Sequence, residues 1–112
     1  MACNLDNVFK VVNIHLIRGN TLEFDIAFSD ATTLTAATFT VDDTSGTQVT
    51  QLSIGNGITK TDDTTYTVLM PPSAMSSQSL GKYRYECRIS FSSTEVFTIL
   101  IGDLYLEANV VG

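Results

Sequence analysis

Apolar and polar residues alternate with a period of two along most of this chain. Between positions 81 and 91, Tyr83, Tyr85, Cys87, Ile89 and Phe91 fall on one side, and Lys82, Arg84, Glu86, Arg88 and Ser90 on the other. Successive side chains of a strand point to opposite faces of a sheet, so the pattern predicts a strand with one buried and one solvated face. Residues 21–29 repeat it, with Leu22, Phe24, Ile26 and Phe28 inward and Glu23, Asp25 and Ala27 outward. Residues 8–17 read as a first strand, Val12, Ile14 and Leu16 facing in and Asn13 and His15 facing out. Shorter strands are expected over 37–41, 47–54, 58–60 and 64–70. Beyond a turn at Ser92, Ser93 and Thr94, two more apolar strands divided by Gly102 complete a predicted three-stranded meander over 81–111.

Turn chemistry separates these runs. Arg18-Gly19-Asn20, the cluster Asp42 to Gly46, Gly55-Asn56-Gly57 and the pair Asp62-Asp63 supply residues that bond their own backbone or accept positive φ. Pro71 and Pro72 end a strand, because proline cannot donate to a ladder. Residues 73–80 lack alternation and are expected to form at most one short helical turn, capped by Ser73 and closing at Gly81. Short strands with turns between them and almost no helical pattern predict an all-β fold: a single antiparallel β-sandwich of about seven to nine strands. It is read as one domain over residues 1–112 with a short leader, 1–7.

Composition narrows the function. Charged residues are only 16% of the 112, with threonine and serine filling the polar positions, and the net charge is −6. Six Lys and Arg are too few for a phosphate-neutralising grip on nucleic acid. No apolar run is long enough for a membrane-spanning helix, and the start of the chain lacks the basic-then-apolar layout of a signal peptide, so synthesis in a cytoplasm is expected. Cys3 and Cys87 lie in unrelated contexts and are expected to be free thiols.

No catalytic, metal or cofactor constellation stands out. His15 is the only histidine, without CxxC or HxxxH spacing around it, and reads as an exposed strand residue. The acidic pairs Asp42-Asp43 and Asp62-Asp63 sit where turns need them; calcium is the sharper alternative, but there is no EF-hand loop. Gly55-Asn56-Gly57 lacks the helix and lysine of a phosphate loop. What does stand out is a pair of stripes: Lys82, Arg84 and Arg88 on one outer face, Glu23 and Asp25 on another. They are candidates for a complementary subunit contact, in which charge sets orientation more than affinity.

The order Tyr83, Tyr85, Cys87 invites comparison with immunoglobulin domains, where a corner tyrosine precedes the second disulfide cysteine by two residues. There is no tryptophan, and no cysteine lies in the first two firm strands. An immunoglobulin-like architecture without a disulfide is the expectation.

Taken in order, further residues carry a resemblance. Leu16-Ile17-Arg18-Gly19-Asn20-Thr21 leads into an alternating strand with Phe24 and Phe28, and Leu34-Thr35-Ala36-Ala37 follows. Gly81-Lys82-Tyr83-Arg84-Tyr85 then precedes Thr98-Ile99-Leu100-Ile101-Gly102 and the apolar run 104–110. Over about residues 12–111 the chain resembles the N-terminal β-sandwich domain of upper baseplate proteins of tailed phages, and related small domains on phage fibres. It departs in having Glu86 where an aspartate usually follows the second tyrosine, and in ending at Gly112 where baseplate proteins continue.

The resemblance implies a non-enzymatic virion structural protein of baseplate, fibre or capsid, made in the host cytoplasm and without cofactors. Its implied partners are other virion proteins and copies of itself, with a trimer favoured. The leader up to Asn7 and the tail Ala108 to Gly112 are expected at subunit contacts. The alternative from a different class is a host-receptor or carbohydrate-binding sandwich, for which Phe9, Phe97 and Tyr105 are the aromatics expected to face out.

Overall fold

The computed structural model describes residues 10–92 and 95–108. Its strands are β1 (Lys10–Val11), β2 (Ile14–Ile17), β3 (Leu22–Ala27), β4 (Ala36–Asp42), β5 (Gln48–Ile54), β6 (Gly57–Asp62), β7 (Thr65–Met70), β8 (Gly81–Ser92) and β9 (Glu95–Glu107). They form one hydrogen-bonded path, β1-β9-β8-β4-β5-β6-β7-β3, with β2 also on β9. The path folds over on itself. Phe24 of β3 and Phe39 of β4 are far apart along it, yet their rings meet edge to face at 5.6 Å, and Phe28 meets Phe91 at 6.1 Å. One layer is therefore β1/β2-β9-β8-β4-β5 and the other β6-β7-β3, an immunoglobulin-like sandwich with the inner faces interdigitating.

The fold-over happens at β5 and β6, which share only two parallel pairs, Ser53 with Gly57 and Ile54 with Ile58. Gly57 has φ +96°, and a Cβ there would come within 2.8 Å of Leu52 Cδ2, so this corner requires glycine.

The alternation read from the sequence is the burial pattern. Phe39, Val41, Ile58, Val68, Met70, Cys87 and Leu104 are wholly buried, and Tyr83 and Tyr85 join them. Burying a residue such as Phe39 contributes about 1.5–3 kcal/mol. The tyrosine hydroxyls still find partners. Tyr66 accepts from the Leu34 amide at 2.9 Å, and Tyr83 donates to the Ser79 carbonyl at 2.6 Å. Tyr83 thus performs the corner role of immunoglobulin domains, one pleat repeat earlier relative to Cys87 than the usual spacing. Cys87 is a free thiol, which burial pushes up to about 12.

Four details depart from the sequence reading. Gly102 does not divide two strands: β9 runs unbroken through it, so β8 and β9 pair as two long antiparallel strands rather than as a three-stranded meander, the turn expected at 93–94 lying outside the described residues. The glycine is there because the first strand crosses above it, and a Cβ would overlap the Val12 carbonyl.

Second, residues 8–17 do not make one continuous strand. Pairing lapses at Val12 and Asn13 and resumes in the same register. The Tyr85 hydroxyl donates to the Val12 carbonyl at 2.7 Å while the Val12 amide donates to Ile101, so the chain is pinned at its kink. Val12, expected inside, is 41% exposed as a result.

Third, β1 and β2 run parallel to β9, in a sandwich otherwise built mainly from antiparallel pairs. Finally, the helical turn is a 3-10 turn over Pro72–Ala74, preceded by Pro71 and without a Ser73 cap. The turn that follows it places Met75 in the core.

Candidate functional site

The outer face of the β9-β8-β4-β5 layer collects most of the polar residues singled out above. Register sets its rows. Asp42 of β4, Arg84 of β8 and Asp103 of β9 line up across three strands, and beside them run Gln51, Thr40, Glu86 and Ile101. A third row holds Ser53, Thr38, Arg88 and Thr98.

Within these rows most charges are already paired. Arg88 Nε lies 3.0 Å from Glu86, Lys82 Nζ 3.6 Å from Asp103, and Thr98 donates to Glu86 at 3.2 Å. The predicted basic stripe is thus largely neutralised by its own neighbours, and such exposed pairs contribute little stability each. The side chains of Arg84 and Asp42 are different. Neither makes a hydrogen bond or ion pair with any described residue, although they are direct cross-strand partners. Beside Asp42 the ladder to β5 shifts register, with Val49 as the extra residue on β5, while the pairing of Asp42 with Arg84 on β8 stays regular.

Above this pair lies a groove of about 420 Å³, lined by Thr38, Thr40, Asp42, Gln51, Arg84 and Ile101 among others. One end is closed by the turn at Asp43. Its carboxylate accepts first from the Ser45 hydroxyl, then from the Thr47 and Ser45 amides at 3.0 and 2.9 Å, which together hold its pKa below the ordinary 3.8. Asp62 is held low in the same way by the Thr64 amide and neighbouring hydroxyls. Asp43 and Asp62 thus act as turn-forming residues, while Asp42 faces the groove.

Glu23 and Asp25 are on the other outer face. They belong to β3, opposite Leu69 and Thr67 of β7, and Asp25 accepts from the Thr67 hydroxyl at 2.8 Å. The two stripes therefore do not meet within the molecule; the sandwich holds them on opposite sides.

His15 is exposed, but it is not idle: its Nδ1 is 2.9 Å from Glu107, and its ring stacks on Tyr105 at 5.0 Å. That stacking leaves Tyr105 half-buried. Phe97 is 38% exposed and packs edge-on against Phe91. Phe9, Cys3, the leader 1–7 and the tail 109–112 lie outside the described residues. Among the described residues no group of three or more His, Cys, Asp or Glu could hold a metal ion, and no helix is long and apolar enough to cross a membrane.

What the sequence reading missed is the grouping of Thr38, Thr40, Asp42 and Gln51 with Arg84. Alternation places each on an outer face, but only the pairing of β4 with both β5 and β8 brings them together.

No family model and no curated protein matches the chain. Solved structures do. The chain is similar to CopC from Methylosinus trichosporium OB3b at 13% identity and TM-score 0.51, with 88% of each chain covered. It is similar to the immunoglobulin-like domain of mouse leukocyte-associated immunoglobulin-like receptor 1, solved as a strand-swapped dimer, at 14% identity and TM-score 0.54, over 85% of this chain and 88% of that one. An AA10 lytic polysaccharide monooxygenase from Streptomyces lividans is similar at 13% identity and TM-score 0.52, over 85% of this chain and 59% of that one. At such identities the likeness concerns architecture, and the architecture is an immunoglobulin-like β-sandwich.

Proposed function

We propose that this domain is a non-catalytic docking module of a virion, acting through contacts with neighbouring structural proteins. The phage setting comes from the sequence resemblance. The docking role is carried by one observation: β3 ends the hydrogen-bonded path with only β7 beside it among the described residues, and its inner residues Leu22 and Phe24 are only half-buried. An edge of this kind offers free main-chain groups and adjacent apolar surface, which is what an added strand requires.

Charge selects the partner. Two copies paired through β3 would bring the acidic rows of Glu23 and Asp25 together, and like charges in cross-strand contact are destabilising. A strand from a different virion protein, with basic residues on its outer row and apolar residues inward, complements the edge. Self-association through the two stripes would instead be head-to-tail. Because they lie on opposite faces, copies joined that way stack into a filament or a many-membered ring more readily than they close a trimer.

Light scattering of the protein alone and mixed with virion proteins tests the proposal. The expected result is a stable complex with at least one virion component that protects the β3 amides from hydrogen exchange. A protein that stays monomeric and joins none of them ends this reading.

A further inference from the structure

We infer that the groove over Asp42 and Arg84 is a binding site for a short neutral saccharide. The site is separate from the β3 edge, on the opposite outer face, and does not depend on the docking role.

The choice of ligand follows from what the walls can do. A guanidinium only donates and a carboxylate only accepts. Arg84 and Asp42 stand side by side with neither function used. An anion drawn to Arg84 would meet Asp42 and Glu86, and a cation drawn to Asp42 would meet Arg84 and Arg88. A neutral hydroxyl satisfies both, donating to the carboxylate and accepting from the guanidinium. Vicinal hydroxyls repeat that match along a ring.

The remaining lining extends the same chemistry. Thr38 and Thr40 present hydroxyls, and Gln51, whose Nε2 donates to Thr40 at 2.9 Å, keeps its amide oxygen for a ligand donor. Ile101 provides a small apolar strip suited to the C–H side of a sugar ring. The wall mixes polar and apolar surface in nearly equal parts, as a sugar with hydroxyls and a C–H face does, and about 420 Å³ falls within the range of small-molecule sites. The rim is set in advance by the Asp43 turn, so little ordering is lost on binding.

The test is an NMR amide titration of the whole protein with glucose, galactose, mannose, N-acetylglucosamine, maltose, cellobiose and lactose at millimolar concentrations. At least one should give saturable shifts centred on Thr38, Thr40, Asp42, Gln51 and Arg84. Arg84→Gln and Asp42→Asn, each with a wild-type-like dispersed spectrum, should weaken that binding by about tenfold or more. Lys82→Ala, outside the groove, should leave it unchanged. No saturable shift with any of the seven sugars overturns the inference. So does binding centred elsewhere, or binding that survives both groove substitutions.

Discussion

The two outer faces of this sandwich are built from the same kind of alternating strand, yet they manage their polar residues differently. On the β8 face, cations and anions interleave across β4, β8 and β9, and pairs such as Lys82 with Asp103 across strands and Arg88 with Glu86 along β8 neutralise much of the surface. That layer ends in β1 and β2, short strands that pair with β9 and have no second neighbour among the described residues. On the β3 face, Glu23 and Asp25 have no cation across the ladder, and the strand itself has a neighbour on one side only. The first face leaves one adjacent pair, Arg84 and Asp42, without side-chain partners among the described residues. The second leaves a whole strand, β3, with β7 as its only neighbour among the described residues. The contrast teaches that surface charge alone is a poor guide to contact: the stripe with three cations is the more self-satisfied of the two.

The comparison is broken most severely by attacking what both faces share. Phe39→Ala, beneath β4 and in ring contact with β3, should destabilise the domain by about 3–5 kcal/mol in urea unfolding and impair both faces together. Gly102→Ala should cost about 1–3 kcal/mol by driving a methyl into the Val12 carbonyl; hydrogen exchange should speed up in β1 and β2 while β3 stays as protected as before.

Charge reversal then separates the faces. Glu23→Lys with Asp25→Lys should weaken complex formation with a virion partner about tenfold or more while leaving any saccharide titration intact. An equal loss at both sites would show the faces to be coupled. Lys82→Ala is expected to change stability by less than about 0.5 kcal/mol, since its ion pair with Asp103 is solvent-exposed.

The smallest effect concerns pH. Asp43 and Asp62 have pKa values depressed below 3.8 by bonds made only in the folded turns. Their contribution is present above the ordinary value and is lost as pH falls through the depressed one. Thermal melts at decreasing pH should show Asp43→Asn less acid-sensitive than the parent over that window.

Which residues face in was readable from period-two alternation nearly everywhere, because one face of every strand must leave water. Which strands are neighbours was not. Arg84 and Asp42 are 42 positions apart, and nothing in local periodicity says that β4 lies against β8. Gly102 shows the other limit. As a punctuation mark it suggests a break; in the fold it is a space left for a strand from the far end of the sequence. Val12 looked apolar enough for the core, but its carbonyl is required by Tyr85, and that hydrogen bond sets the local path.

The parallel pairing of the first and last strands has a mechanical meaning. From Ile14 with Leu104 to Ile17 with Glu107 the two run side by side in the same direction, and the Arg18 amide extends the ladder to the Glu107 carbonyl at 2.9 Å. If the domain is pulled by the chain on either side of these strands, the tension acts along the ladder in shear. Its hydrogen bonds then carry load together and cannot open one after another like a zip. Resistance to force is governed by how fast a fold opens rather than by its equilibrium stability. A domain of modest stability joined this way can hold under tension that would peel apart an antiparallel edge.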